Sequence, residues 1–164
     1  KEAYVAAISN QHQFGEFNLS TYAGYGLYVD DHQDMSVGAS VTYKNWTLGG
    51  SYRQTDADSD NPINQQINDN VTPEYYDGFR DGRVWNIGLS YTYENFSTGV
   101  SYFESIARKS RNRDQFVQWA NQYQVDEYWT LYTAIGYVKF EGLTGTVADS
   151  NEGCSFIAGV GFNI

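Results

Sequence analysis

Residues 91–103 read YTYENFSTGVSYF. Tyr91, Tyr93, Phe96, Val100 and Tyr102 alternate with Thr92, Ser97, Gly99 and Ser101, the period-2 pattern of two strands with one apolar face each, turning at Glu94-Asn95. Alternation alone fits any hairpin. The second face is the informative one, because it carries Ser, Thr and Gly where a surface strand of a water-soluble protein carries Lys and Glu. The stretch therefore poses a question about solvent: on which side of this chain is the water?

Composition narrows the answer. The chain has 164 residues, with 15 Tyr, one Met and two Pro, a strand-rich usage in a length that suits a single domain over 1–164. It has no apolar run of about 18 residues, so a transmembrane helix is excluded. A membrane barrel is not excluded, because each of its strands needs only about 10 alternating residues. The formal net charge of -10 argues against nucleic acid as a partner, since nothing neutralises phosphates over a broad surface. Cys154 is the single cysteine, so no intrachain disulfide forms. The sequence opens at Lys1 with no apolar targeting stretch and reads as a processed chain or a piece of a longer one.

The pattern predicts nine strands, near 3–13, 18–29, 35–44, 46–55, 84–94, 96–106, 115–125, 128–140 and 155–164. Short connections at Gly15-Glu16, Lys44-Asn45, Glu94-Asn95 and Asp126-Glu127 alternate with longer polar ones at 30–34, 56–82, 107–114 and 141–154. A soluble sandwich has no reason to gather its long loops at one end. Outer-membrane barrels do so, with short periplasmic turns and long extracellular loops.

Side-chain facing makes the same point. In 46–53, Trp46, Leu48, Gly50 and Tyr52 share a face opposite Thr47, Gly49, Ser51 and Arg53; in 85–93, Trp85, Ile87, Leu89, Tyr91 and Tyr93 oppose Asn86, Gly88, Ser90 and Thr92. Trp129, Leu131, Ile135 and Tyr137 repeat the pattern against Thr130 and Tyr132. If the apolar faces enclosed a soluble core, the exterior would be a nearly uncharged sheet prone to edge-to-edge association. Turned inside out, the apolar face meets lipid and the small polar face lines a wet lumen. The predicted wall is then Thr47, Ser51, Arg53, Asn86, Ser90, Thr92, Ser97, Ser101, Thr130 and Tyr132. Aromatics fall into two belts on the apolar parity, as the two bilayer interfaces require: Tyr43, Trp46, Tyr93, Phe96 and Trp129 at the short turns, and Tyr52, Trp85, Tyr102 and Tyr137 about one strand length away.

The runs FGEFNLSTYAGYG (14–26), MSVGASVTYKNWTLGGSYRQTD (35–56), WNIGLSYTYENFSTGVSYF (85–103) and YWTLYTAIGYVKFEG (128–142) resemble the Gram-negative general porins. The repeated unit is a Gly-Xaa-Ser-Tyr strand, a tight turn, an aromatic and a second such strand. SFIAGVGFNI at the end is similar to the family's C-terminal strand, with Ile164 in place of the usual Phe. The resemblance implies an antiparallel up-and-down transmembrane β-barrel in the bacterial outer membrane, on the order of sixteen strands in all, of which this chain is the C-terminal portion. It further implies a homotrimer and passive diffusion of small hydrophilic solutes and ions, with no cofactor. The alternative is an eight-stranded barrel beginning at Leu19, with residues 1–17 as a tail and a structural or adhesion role.

Enzyme chemistry finds little support. His12 beside a short turn and His32 in the acidic DDHQD loop are the available imidazole bases, and no nucleophile and orienting acid are paired with either. DADSD at 56–60 starts like a calcium loop but has Asn61 and Ile67 where the glycine and terminal acid belong, so no metal site is predicted. The basic run RKSRNR at 108–113 is expected in an extracellular connection, where Arg108, Lys109, Arg111 and Arg113 would meet lipopolysaccharide phosphates. Arg83 and Lys139 fall on the lipid parity near the same interface and would snorkel to head groups.

Overall fold

The structure is a computed structural model that describes residues 3–27, 33–56, 82–107, 113–142 and 150–162. Among the described residues, period-2 sequence becomes nine strands: β1 (Tyr4–Phe14), β2 (Phe17–Leu27), β3 (Gln33–Tyr43), β4 (Trp46–Asp56), β5 (Gly82–Tyr93), β6 (Phe96–Ala107), β7 (Arg113–Gln124), β8 (Trp129–Glu141) and β9 (Asn151–Phe162). They form one sheet in chain order from β1 to β9, each neighbour antiparallel. No described helix is long and apolar enough to cross a membrane, which says nothing of a barrel that crosses with strands.

Three of the short turns are two-residue hairpins in which Gly15, Lys44 and Glu94 take φ of 59°, 51° and 50°. That left-handed conformation suits the right-handed twist of the flanking strands. The fourth turn is longer than expected, because β7 ends at Gln124 and β8 begins at Trp129. Asp126 Oδ1 organises it by accepting the backbone N–H groups of Tyr128 at 2.9 Å and Trp129 at 2.8 Å, an Asx turn that competes with strand pairing.

Two further expectations are corrected. Residues 4–14 are not a tail: β1 pairs with β2 from Tyr4↔Leu27 to Phe14↔Phe17, so the eight-strand alternative fails. β9 begins at Asn151 and not at 155, because Glu152, Gly153 and Cys154 pair with Lys139, Val138 and Tyr137; cross-strand pairing overrides residues that read locally as loop.

The sheet is open, with β1 and β9 at its edges. In an up-and-down meander with an odd number of strands the two edges run in the same direction. Antiparallel closure of this sheet therefore takes an odd number of further strands, giving the even total of single-chain bacterial barrels.

Candidate functional site

Cross-strand partners fix the two faces of the sheet. Ser51 partners Gly38 and Asn86, Asn86 partners Phe103, and Phe103 partners Phe116. Counting by twos from this row places Thr47, Ser51 and Arg53 of β4, Asn86, Ser90 and Thr92 of β5, Ser97 and Ser101 of β6, and Thr130 and Tyr132 of β8 on one face. The side chains there bond sideways across strands: Asn86 Nδ2 donates to Ser51 Oγ at 2.6 Å, and the hydroxyls of Thr42 and Thr47 and of Thr92 and Ser97 lie 2.9 and 3.0 Å apart. A hollow of about 640 Å³ on this face takes lining from Ser9, Gln11, Ser20, Ser40, Ser51 and Asn86, so the sheet bends around its small polar side.

Charge on this face is sparse. Arg53 Nε donates to Asp34 at 2.8 and 3.0 Å, and Arg53 Nη2 donates to the same carboxylate at 2.5 Å, a charge-assisted fork. Asp114 accepts the Ser105 hydroxyl at 3.0 Å. Among the described strand residues of this face, Arg53 is thus the one cation against the carboxylates of Asp34 and Asp114. The sequence reading missed both acids, and also Tyr22, Phe103 and Phe116, which share the face; counting parity outward from Ser36 and Ser101 would have found Asp34 and Phe103, whereas Asp114 joins the face only through the pairing of β7.

The other face is apolar and exposed. Leu48, Leu89, Val100 and Ile135 are 51, 45, 53 and 51% exposed, whereas in β3 the intervening polar positions are half-buried. Among the described residues Ala107 alone is a buried hydrophobic. The belts lie on this apolar face. At the short turns, Phe17 stacks on Tyr43 with ring centroids 4.5 Å apart, Trp46 meets Tyr91 at 4.7 Å and Trp129 meets Phe162 at 4.6 Å, with Tyr93 and Phe96 as cross-strand partners. In the far belt the hydroxyls of Tyr52, Tyr102 and Tyr137 donate to Gln54 at 2.9 Å, Glu104 at 2.8 Å and Glu152 at 2.6 Å, and Trp85 Nε1 donates to Glu104 at 3.1 Å. Each of these hydroxyls is turned toward the end of the sheet where the long connections lie.

One of the cations departs from expectation. Arg113 is the first residue of β7 and not part of a loop, because it closes on Glu104 through Nε at 2.9 Å and through Nη2. Glu104 is buried at 5% exposure and also receives Gln115 Nε2 at 3.4 Å. Lys139 is bonded to Glu141. Arg83 shares the apolar face, opposite Gln54 and Ile106. Arg108, Lys109 and Arg111, like His32 and most of the acidic stretch 56–82, lie outside the described residues. His12 sits on β1 with its ring 4.0 Å from that of Phe14. Among the described residues no three His, Cys, Asp or Glu side chains converge as a metal site.

Residues 2–143 match the sequence family described as Gram-negative porin. Among solved structures the chain is similar to Acinetobacter baumannii OccAB4, with a TM-score of 0.63 and 16% identity over 98% of this chain. At that identity the likeness is one of fold. The chain spans 46% of the length of that structure. No curated protein matches it.

Proposed function

The chain belongs to the Gram-negative porin family, and from that premise we propose that it forms part of the wall of a water-filled outer-membrane channel for passive diffusion of small hydrophilic solutes and ions. The observation that carries this reading is the inverted exposure: the large apolar side chains lie on the outside of the bend and the Ser, Thr and Gly positions on the inside. In water such a surface would aggregate. In a bilayer it meets acyl chains, and the hydroxyl-lined side holds the water. Diffusion through such a wall needs no nucleophile, metal or cofactor.

Partners follow from the same faces. Lipid covers the apolar side, and lipopolysaccharide head groups lie level with the far belt, where Arg83 is placed and where Arg113 and Lys139 keep their carboxylate partners. Copies associate side by side as a trimer through the outward face of β6–β8, whose inlaid polar groups distinguish it from that of β3–β5.

The wall also bears on ion preference. With Arg53 forked onto Asp34 and Asp114 beyond it, its field favours cations weakly, over about a Debye length of roughly 8–10 Å at physiological salt. Planar-bilayer recordings of the complete protein test both levels. Discrete conducting steps with a reversal potential on the cation side at low salt are expected. Folded protein that inserts without conducting overturns the channel, and an anion-selective reversal potential overturns the charge argument alone.

A further inference from the structure

Three rings on the small polar face lie against glycines of the next strand. A Cβ built on Gly38 would stand 2.2 Å from Tyr22 Cε1, one on Gly159 would stand 2.3 Å from Tyr132 Cζ and Oη, and one on Gly136 would stand 2.5 Å from Phe116 Cε2. These separations are far inside the roughly 3.5–4.0 Å optimum for carbon contacts. Tyr22 and Gly38 are direct cross-strand partners, as are Tyr132 and Gly159. Other glycines of this face meet no ring, and their nearest atoms stand farther off: the Ile106 carbonyl oxygen 2.7 Å from the Gly82 position, Ser36 Oγ 3.0 Å from Gly24, Ser40 Cβ 3.1 Å from Gly49 and Ser101 Cβ 3.4 Å from Gly88. The closest approaches, 2.5 Å or less, are therefore those made by rings.

Tyr22 and Tyr132 stay 45 and 44% exposed. One side of each ring covers the glycine while the other remains open. A larger residue at 38 or 159 would occupy the space the ring now fills. The backbone is held by pairing along the whole of both strands, whereas the ring turns about χ1 and χ2. The wall blocks movement inward, so the ring swings out over the polar face.

We infer that Gly38 and Gly159 are seats that hold Tyr22 and Tyr132 flat against the lumen wall and so set the bore of the channel beside them. The seat rests on geometry alone; the bore rests on the channel reading above. Side chains at these two glycines would narrow the passage through the displaced tyrosine rather than through their own bulk.

The test is a pair of double-mutant cycles in the complete protein, Gly38→Val with Tyr22→Ser and Gly159→Val with Tyr132→Ser, read by unitary conductance and by thermal unfolding in detergent. Each valine variant alone should conduct less than wild type and unfold at lower temperature. In the serine background the same valine should change neither by much, so the two changes are non-additive. Wild-type conductance in both valine variants, or an undiminished loss in the serine background, overturns the inference. Should Gly38→Val fail to insert, the Tyr22→Ser/Gly38→Val protein must insert; failure of both places the requirement in the backbone and overturns the seat. A wild type that inserts without conducting overturns the channel reading and the bore with it, and the unfolding cycle still decides the seat.

Discussion

The outward faces of β3–β5 and of β6–β8 share one sheet and one alternation, yet they are built differently. Between the two aromatic belts β3–β5 present Val37, Val41, Leu48, Ile87 and Leu89, all exposed, with no polar side chain among them. On β6–β8 the row Thr98, Asn121 and Thr133 runs through the same band: Trp119 Nε1 donates to Thr98 Oγ1 at 2.9 Å, Thr98 Oγ1 donates to Asn121 Oδ1 at 2.8 Å, and Asn121 Nδ2 reaches Thr133 at 3.5 Å. Toward the open end Glu104, Arg113, Gln115 and Tyr102 form a second polar cluster. Hydrocarbon offers no partner for any of these groups. They are tolerated because they satisfy one another. The comparison teaches that binary pattern assigns a side chain to a face, while cross-strand pairing decides what that face can afford to carry.

The largest effect should come from placing a charge on the clean half. Leu89 lies midway between Trp85 and Tyr93 on the apolar face and Ser90 on the polar one. On the proposed channel reading, Leu89→Arg puts a guanidinium in hydrocarbon at a cost of about 2–4 kcal/mol at the bilayer midplane, whereas Ser90→Arg leaves it in a wet lumen. Folding yield and urea unfolding in lipid vesicles should fall sharply for the first and change little for the second, with Ser90→Arg altering conductance instead. Equal insertion defects would erase the distinction between the faces on which the comparison stands.

A smaller loss is expected where the inlaid half depends on its own pairing. Arg113→Gln leaves the buried Glu104 carboxylate without its cation, a loss of about 1.5–3 kcal/mol for hydrogen bonds to a charged group. Adding Glu104→Gln should recover part of it, because the uncompensated charge is then gone. Lys139→Gln removes an ion pair whose two side chains are 40 and 34% exposed and should cost at most about 1 kcal/mol. Unfolding midpoints in detergent lowered more by Lys139→Gln than by Arg113→Gln would show that burial of Glu104 is not what makes this cluster matter.

Most of the architecture was legible because period-2 alternation is local: Trp46, Leu48, Gly50 and Tyr52 declare their common face without any knowledge of neighbours. Glu104 was hidden for the opposite reason. It shares parity with Tyr102, and the groups that make it acceptable there, Trp85 and Arg113, lie 19 and 9 residues away in sequence. The same pairing draws Arg113 and Asp114 into β7, although a run of bases reads as loop. The tyrosine seats were illegible too, since alternation puts Tyr22 and Gly38 on one face but only register makes them partners. The length of the last short turn escaped because it depends on the Asp126 side chain and not on strand propensity.

The finest test asks what the inlaid row is for. Asn121→Leu removes the acceptor of Thr98 and the donor to Thr133 while adding apolar surface. Interhelical side-chain hydrogen bonds in a membrane average only about 0.6 kcal/mol, and if that value transfers to a barrel surface the monomer should unfold at nearly the wild-type midpoint. If the row faces lipid, nothing else should change, because a leucine suits acyl chains better than an amide does. If it faces a second copy of the chain, the amide has across the interface a partner that leucine cannot replace, and assembly should weaken more than folding does. Sedimentation in detergent and unfolding of the same variant separate these cases. Leu48→Asn on the clean half is the control: it should leave assembly intact and weaken only insertion. Loss of assembly in Leu48→Asn with wild-type assembly in Asn121→Leu would move the contact to β3–β5 and reverse the roles of the two surfaces.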